Sequence, residues 1–275
     1  MLIAGAILLG YWAFKRNSFK ITKKQGISLL ILSFLSIYLT NVLEFWGLKY
    51  LTAAKTCFIY SLSPFFAAFF SYLHFGERMT RQKWAGMLIG FIGFLPVLYT
   101  QMGEEGLLGG IGFLSWPSLA VMGAALASVY GWVLLRLVVK DQQMSPVFAN
   151  GSIMVMGGLF ALLHSFFADS WTPTPIVSAS GFWQGTLLMT FVSNIICYNL
   201  YGFLLKRFTA TFLSFMGLLS PIFASINSWL LLGESPSWII FLSTGVVSTG
   251  LWLIYRSELK QGYIAKEKKS ELEAA

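Results

Sequence analysis

Long runs of apolar residues, separated by short polar segments, dominate this chain. A helix needs about 20 residues to cross about 30 Å of hydrocarbon. Apolar runs of that order lie at residues 26–48, 52–75, 82–100, 117–139, 145–168, 181–205, 208–232 and 237–255. A ninth apolar stretch, Met1–Phe14, is too short to cross alone. The pattern predicts eight full membrane-spanning helices, and the lack of period-two alternation excludes a transmembrane β-barrel.

The composition agrees with a membrane environment. Hydrophobic residues make up 56% of the chain and charged residues only 11%, and the mean hydropathy is +0.70. Such a chain is too apolar for a water-soluble domain. We therefore expect an all-α integral membrane protein with nine apolar segments.

The basic residues predict the orientation. If the last span ends in the cytoplasm and the spans alternate, 17 of the 19 Lys and Arg residues lie on the inner side, leaving Lys49 and Lys55 outside. The two longer outer loops, 101–116 and 169–180, contain no Lys or Arg. This bias predicts a multi-pass protein of the bacterial inner membrane with a cytoplasmic C-terminus. The net charge of +8 and the basic tail 257–275 then reflect topology, so no nucleic-acid partner is expected.

An internal repeat organises the chain. Residues 48–77 and 205–234, aligned without a gap at an offset of 157, are identical at 14 of 30 positions. The matches include Ser63-Pro64 with Ser220-Pro221 and Gly76-Glu77 with Gly233-Glu234. Matches of this kind, in register, indicate a duplication.

The two copies are predicted to have opposite orientations. The loop at Lys49 lies outside by the charge rule, whereas its copy at Lys206 lies inside. Inverted repeats around a site near the middle of the bilayer are typical of secondary transporters. We assign residues 1–104 to the first repeat, 117–256 to the second and 257–275 to the tail.

One predicted span has no counterpart in the first repeat. The partner of 117–139 would lie before Met1, so we expect an in-frame upstream extension of about 40 residues with one apolar run. The alternative is a protein of nine segments with an outer N-terminus.

Several motifs resemble a known family. Gly47–Lys55, Ser61–Ala68 and Gly76–Thr80, together with Leu218–Ala224 and Gly233-Glu234, resemble the fourth-helix signature of the drug/metabolite transporter superfamily, EamA type. The resemblance implies ten helices in two inverted five-helix repeats around a cavity for small solutes, here without the first helix. More faintly, Asn199–Gly202 and Phe113–Pro117 are similar to members that carry S-adenosylmethionine in obligate intracellular bacteria.

Polar residues at membrane depth are candidates for the solute site, because such residues often mark a pathway. Asn41 and Glu44 are equivalent by the offset to Tyr198 and Tyr201, and Asn194 precedes Tyr198 by one turn. Spacings of three and four residues place each set on one helix face. These residues equally suit contacts between helices.

A second group of candidates surrounds this stripe. Glu44 and Lys55 lie at similar distances from the turn between their helices, so they are expected at the same depth as an ion pair. The alternative is that both extend to the outer surface. Tyr60 and Tyr130 would add aromatic surface suited to a cationic or planar solute.

The repeated motifs predict structural features. Pro64 and Pro221 lack the amide proton that a helix interior requires, so each is expected to kink its helix at an equivalent depth. Glu77 and Glu234 follow glycines at helix ends, where a capping or hairpin role is expected.

The sequence favours transport over catalysis. No Gly-Lys-Ser or Gly-Lys-Thr phosphate loop is present, and no cluster of residues suggests an enzyme, a metal site or a cofactor. We expect a secondary carrier that moves a small organic metabolite by alternating access: an amino acid, a nucleoside-like compound or a sulfonium such as S-adenosylmethionine. The alternative is a non-transporting scaffold or a protein that binds a lipid-linked sugar. A coupling ion such as a proton and a homo-oligomeric state remain open.

The inverted topology can be tested by labelling. Single cysteines at Gln82 and Ser235, in a background without Cys57 and Cys197, should react from the cytoplasm and from outside respectively, because the two turns are copies with opposite orientation. Membrane-impermeant maleimides applied to each side measure this. Labelling of both positions from one side would contradict the inverted arrangement.

Overall fold

Helices form all the regular structure in the described part of the chain. The computed structural model describes residues 1–16, 20–51, 53–101, 115–168, 178–220 and 238–264, with positions 223, 226, 227, 229 and 230 between them. The helices are α1 Leu2–Phe14, α2 Lys23–Leu48, α3 Ala53–Tyr60, α4 Ser63–Phe75, α5 Arg81–Gln101, α6 Trp116–Asp141, α7 Pro146–Ala168, α8 Ala179–Leu204, α9 Ala210–Leu219 and α10 Trp238–Gln261. The prediction of an all-α membrane protein is confirmed.

The helices follow the predicted spans with two differences, and most of the span predicted at 208–232 beyond Ser220 lies outside the described residues. Six segments among the described residues are long and apolar enough to cross a membrane: α2, Lys55–Phe75, α6, α7, α8 and α10. The span predicted at 52–75 is interrupted at Ser61–Leu62, which separates α3 from α4. Finally, α10 continues six residues beyond the predicted end at 255 because polar residues of its last turns are buried.

The helices form two compact units, each containing segments from both sequence repeats. Unit 1 comprises residues 1–50 and 119–206, and unit 2 comprises residues 51–118 and 207–275. Unit 1 therefore contains α1, α2, α7, α8 and most of α6, and unit 2 contains α3, α4, α5, α9 and α10. The predicted division into domains follows the repeat, so it describes the duplication rather than these compact units.

Small residues of α7 allow close packing in unit 1. A Cβ atom at Gly151 would lie 3.1 Å from Leu8 and Leu9 of α1, and one at Gly158 would lie 2.7 Å from Leu2. These pairs run in opposite directions, so α1 and α7 are antiparallel. A Cβ atom at Gly157 would lie 2.5 Å from Ile37 of α2. Because these glycines have no side chains, the helices approach closely. In lipid this close van der Waals packing replaces the hydrophobic driving force between helices.

The equivalent helices α2 and α8 differ in how they are covered. On α2, Leu32 and Thr40 are 1% and 6% exposed, and α6 contacts this helix where the Thr40 hydroxyl approaches the Ala124 carbonyl oxygen at 3.5 Å. On α8 the equivalent positions are Met189, which is 65% exposed, and Cys197, which is also exposed.

Unit 2 is organised around the antiparallel pair α5 and α10, which are the same helix in the two repeats. The Arg78 amide bonds to the Tyr263 hydroxyl at one end of the pair, and Gly93 contacts Val247 towards the other end. The two helices therefore run in opposite directions. Equivalent helices of two parallel repeats would not pair in this way, so the packing supports inversion.

Glycines make this crossing tight and nearly two-fold symmetric. A Cβ atom at Gly250 would lie 2.8 Å from the Gly90 nitrogen, and one at Gly93 would lie 3.2 Å from the Val247 nitrogen. The 157-residue offset converts the first of these contacts into the second. The Phe215 ring of α9 packs directly against Gly90, because Gly90 has no side chain that would occupy this space. The three helices thus meet along one line of close contacts. We define Gly86, Gly90, Gly93 and Gly250 as the glycine seam.

The crossing generates a test. Gly250→Ala should destabilise the protein by about 1–3 kcal/mol, since the added methyl group would meet the Gly86 carbonyl oxygen and force the backbones apart. Gly245→Ala on the same helix is the matched control, because a Cβ atom there has no neighbour within 4 Å. Thermal unfolding in detergent measures both. Equal unfolding midpoints would show that the seam does not limit stability.

Candidate functional site

Helices α2 and α8 contain π-helical segments at equivalent positions. The segments span Ser33–Leu39 and Met189–Cys197, which the 157-residue offset places over each other. In each, the backbone amide that closes the segment bonds to the carbonyl five residues earlier, as from Thr40 to Leu35 and from Tyr198 to Ser193. A π-helical turn widens the helix and is frequent at functional sites. The two segments end just before the predicted site residues Asn41 and Tyr198, and Asn194 lies within the second segment.

Unit 1 brings several predicted site residues into one aromatic and acidic cluster. The Trp132 ring of α6 lies 5.1 Å from the Tyr198 ring and 4.1 Å from the Tyr201 ring, between ring centroids. The carboxylate of Glu44 on α2 lies within electrostatic range of Tyr198 of α8. Three helices from both repeats therefore contribute to the cluster, which we define as Glu44, Trp132, Tyr198 and Tyr201.

The remaining predicted residues of unit 1 have other surroundings. The Asn41 amide donates to the Ile37 carbonyl oxygen of its own helix, which ties it to the π-helical segment. Asn194 is buried and lines an open groove of about 390 Å³ with Thr186 and Thr190. Tyr130 is half-buried, two residues before Trp132 on α6. Successive helical residues are separated by 100°, so Tyr130 and Trp132 point in different directions.

Glu44 and Lys55 belong to different units. Glu44 is half-buried in unit 1, and Lys55 is half-buried near the start of α3 in unit 2. Each has interactions within the structure. The ion pair between them stays a prediction.

Unit 2 contains a cavity of about 290 Å³ at the break between α3 and α4. Its nine lining residues are Cys57, Tyr60, Ser61, Ser63, Phe94, Ser214, Gly217, Leu218 and Ser220. Eight of the nine form four pairs at the 157-residue offset: Cys57/Ser214, Tyr60/Gly217, Ser61/Leu218 and Ser63/Ser220. The pseudo-two-fold axis of the repeats therefore passes through this cavity.

The walls of the cavity are irregular helix segments on both sides. The Ser61 hydroxyl donates to the Phe58 carbonyl at 2.6 Å within the turn that ends α3. In the second repeat, Gly217–Leu219 tightens into a 3₁₀ turn at the end of α9. Interrupted helices at equivalent depths are how inverted-repeat transporters expose polar groups to a solute.

The motif residues lie next to this cavity and at a helix end. Pro64 lies in the first turn of α4, directly after Ser63 and the break, where its missing amide proton costs least. At the end of α4, Gly76 adopts a positive φ of 63°, and the Glu77 that follows is buried in the turn. Pro221 and Glu234 lie outside the described residues.

Sequence reasoning missed several of these residues. Trp132 gave no signal, because it has no polar group at a repeated position and looks like an ordinary apolar residue of a span. The cavity residues Ser63 and Ser220 were recognised as part of a motif but were not assigned to a cavity. The offset could have found them, since it pairs small polar residues at Cys57/Ser214 and at Ser63/Ser220.

The two features differ in chemistry. The cluster in unit 1 combines a carboxylate with three aromatic rings, which suits a cationic group or a planar ring. None of the residues that line the unit 2 cavity carries a charge, and its hydroxyl groups can both donate and accept hydrogen bonds. The cavity therefore suits a neutral polar group.

Comparison with known proteins decides the family. The sequence matches the EamA-like transporter family over residues 1–99 and 115–256. The chain belongs to this family. The resemblance seen in the repeated motifs is thus confirmed, and the protein is a membrane transporter of a small metabolite.

Similar proteins include named carriers. The chain is 41% identical over 267 residues to a protein of Chlamydia muridarum named S-adenosylmethionine/S-adenosylhomocysteine transporter, covering 96% of this chain and 83% of the relative. A protein of the same name from Chlamydia trachomatis serovar L2 is 40% identical over 266 residues, covering 96% and 81%. One solved crystal structure aligns with a TM-score of 0.74 at 18% identity, over 94% of this chain and 86% of that one, which shows the shared fold.

The cavity provides a test that needs no solute. Gly217→Leu should slow alkylation of the Cys57 thiol severalfold, because both residues line the cavity and a Cβ atom at Gly217 has no neighbour within 4 Å to prevent folding. Gly245→Leu in α10 is the matched control, with equal added volume at another open position. Maleimide reaction rates in a background without Cys197 measure the effect. Equal rates in the two variants would mean that the cavity does not control access to Cys57.

Proposed function

We propose that this protein is a secondary carrier of sulfonium nucleosides, taking S-adenosylmethionine and its demethylated product S-adenosylhomocysteine as solutes. The single observation that carries the proposal is the contact of the Trp132 ring with Tyr198 and Tyr201, with the Glu44 carboxylate within electrostatic range of Tyr198. The names of the chlamydial relatives support the same solutes.

The chemistry of the solute suits the cluster. The sulfonium of S-adenosylmethionine is a permanent cation, which the Glu44 carboxylate and the faces of the aromatic rings would attract. The adenine ring is planar and can stack on Trp132 or a tyrosine. S-adenosylhomocysteine keeps the adenine but lacks the sulfonium charge, so its binding would rely on stacking. One cluster could therefore accept both compounds with different dependence on Glu44.

The inverted repeat supports alternating access as the mechanism. The antiparallel packing of α5 and α10 supports the inverted relation of the two repeats. The equivalent π-helical segments of α2 and α8 give the repeats matched irregular backbone. Inverted repeats can exchange inward-facing and outward-facing states by adopting each other's conformation.

Solute exchange in proteoliposomes tests the function. Vesicles loaded with unlabelled S-adenosylmethionine should accumulate radiolabelled S-adenosylmethionine, and external S-adenosylhomocysteine should compete. Methionine and adenosine, each carrying one half of the solute, should compete weakly. Vesicles without protein are the control. Absence of exchange by folded protein would contradict the proposed solutes.

Glu44→Gln separates the two solutes. We expect the half-saturating concentration of S-adenosylmethionine to rise about tenfold or more, the size of one lost interaction with a charged group, while that of S-adenosylhomocysteine changes less. The protein should still insert and fold. Equal effects on both solutes, or wild-type transport of S-adenosylmethionine, would remove Glu44 from the site.

Lys55 provides the companion test of the predicted ion pair. Lys55→Ala alone should reduce folded yield because it strands a carboxylate at depth, and the double change of Glu44→Gln with Lys55→Ala should restore yield without restoring transport. Folded yield from size-exclusion chromatography and exchange activity measure the two effects. Normal yield of Lys55→Ala would contradict the pairing.

A further inference from the structure

A buried ion pair lies at the end of unit 2 that carries Arg78, Arg81 and Lys260. The Lys83 Nζ atom of α5 is 2.8 Å from Glu258 Oε1 of α10, and the two side chains are 1% and 0% exposed. In the sequence, Lys83 was assigned only to the positive-inside bias, and Glu258 to the tail. The structure instead places both in the interior of the unit.

Thr209 extends this ion pair to a third helix. Its hydroxyl lies 2.7 Å from both carboxylate oxygens of Glu258 and donates to that carboxylate. The same oxygen accepts from the Phe212 amide at 3.1 Å, so Thr209 is the N-cap of α9. One buried hydroxyl thereby connects the start of α9 to α10. We define Lys83, Glu258 and Thr209 as the ion network.

Pairing of α5 with α10 does not depend on this network alone. The hydroxyl groups of Thr80 and Ser257 are hydrogen-bonded at 2.6 Å. The side-chain amide of Gln261 donates to the Arg78 carbonyl oxygen at 2.9 Å. The Tyr263 ring lies 5.3 Å from Lys83 Nζ as a further contact. The glycine seam joins the same two helices. The distinct contribution of the network is its bond to α9.

The network occurs at one end of the repeat and has no charged copy at the other. The 157-residue offset relates Lys83 to Ile240, Glu258 to Gln101 and Thr209 to Thr52. At the other end of the pair, α10 carries Ile240 and α5 carries Gln101, so neither equivalent position is charged. A buried ion pair is also weak evidence for stability, because apolar residues of similar volume are often as stable. Its geometry, rather than its energy, is the feature that needs a role.

Helix α9 leads from the network to the cavity. Ser214 follows Thr209 by five residues, about 7.5 Å at the rise of an α-helix, and Gly217, Leu218 and Ser220 follow it. An N-cap fixed to a buried carboxylate determines where α9 begins and how it is rotated. The rotation in turn determines which side chains of α9 face the cavity.

We propose that the ion network positions α9 and thereby shapes the wall of the unit 2 cavity. Thr209, Glu258 and Lys83 are positioning residues that act through Ser214 and Gly217. The effect on the cavity wall does not depend on the proposed solutes. The experiment therefore reads the wall and the transport separately.

The accessibility of the cavity wall is measured with a cysteine introduced on α9. Ser214→Cys, in a background with Cys57→Ser and Cys197→Ser, reports access to the cavity by its rate of reaction with a small maleimide. Adding Thr209→Val, which keeps the shape but removes the hydroxyl, should change this rate about tenfold, the size of one lost hydrogen bond to a charged group. Thr209→Ser should keep the parental rate, because it retains the hydroxyl.

Two controls separate positioning from general stability. Ser178→Ala removes an N-cap from α8 in unit 1, where the Ser178 hydroxyl accepts from the Gly181 amide, and should not alter the rate at position 214. Lys83→Met with Glu258→Gln removes both charges together, so folding should be retained. The rate at position 214 should still change, because a neutral amide holds the Thr209 hydroxyl more weakly.

The outcomes are distinguishable. A parental rate in the neutral double variant, and in Thr209→Val if it folds, would overturn the positioning role and leave the network as a structural ion pair. A rate altered equally by Ser178→Ala would also overturn it, because general loosening would explain the effect. Exchange of S-adenosylmethionine by the unmodified protein is measured in parallel. Its absence would refute the proposed function without affecting the result at position 214.

Discussion

The close approach of α5 to α10 is the constraint on which the structure of unit 2 depends. At Gly86 and Gly250 the two backbones leave no room for a Cβ atom. In lipid, helices gain little from burying apolar surface against each other, so van der Waals contact between backbones must supply the association. The glycines permit that contact, and the antiparallel direction then relates the two repeats by an approximate two-fold axis. Phe215 lies over Gly90, which brings α9 to the same seam.

The cavity follows from the same symmetry. Its wall is formed by pairs such as Cys57/Ser214 and Ser63/Ser220, which the axis brings to opposite sides. The irregular turns before Pro64 and after Met216 interrupt the helices at these positions. In unit 1 the equivalent π-helical segments of α2 and α8 show that irregular backbone, too, is repeated.

Function is expected where the repeats differ. Tyr60 faces the cavity at the position where the other copy has Gly217, so the cavity is wide on one side and aromatic on the other. Glu44 is equivalent to Tyr201, and both enter the unit 1 cluster with different chemistry. Lys83 is equivalent to Ile240, so the ion network exists at one end. The duplication provides the scaffold, and these departures make the two sides of the cavity, the members of the unit 1 cluster and the two ends of unit 2 chemically different.

The sequence by itself determined the all-helical membrane class, the duplication, the positions of most spans and the family. These follow from local properties: apolar runs set by bilayer thickness, and residues repeated in register. It also marked Glu44, Tyr198 and Tyr201 as candidate site residues, because polar groups at membrane depth are costly and conspicuous. The tertiary structure alone added Trp132, whose role depends on which face of α6 meets α8. It also decided that Lys83 and Glu258 are buried together, since charge at a helix end looks the same in sequence whether it faces water or a partner 175 residues away.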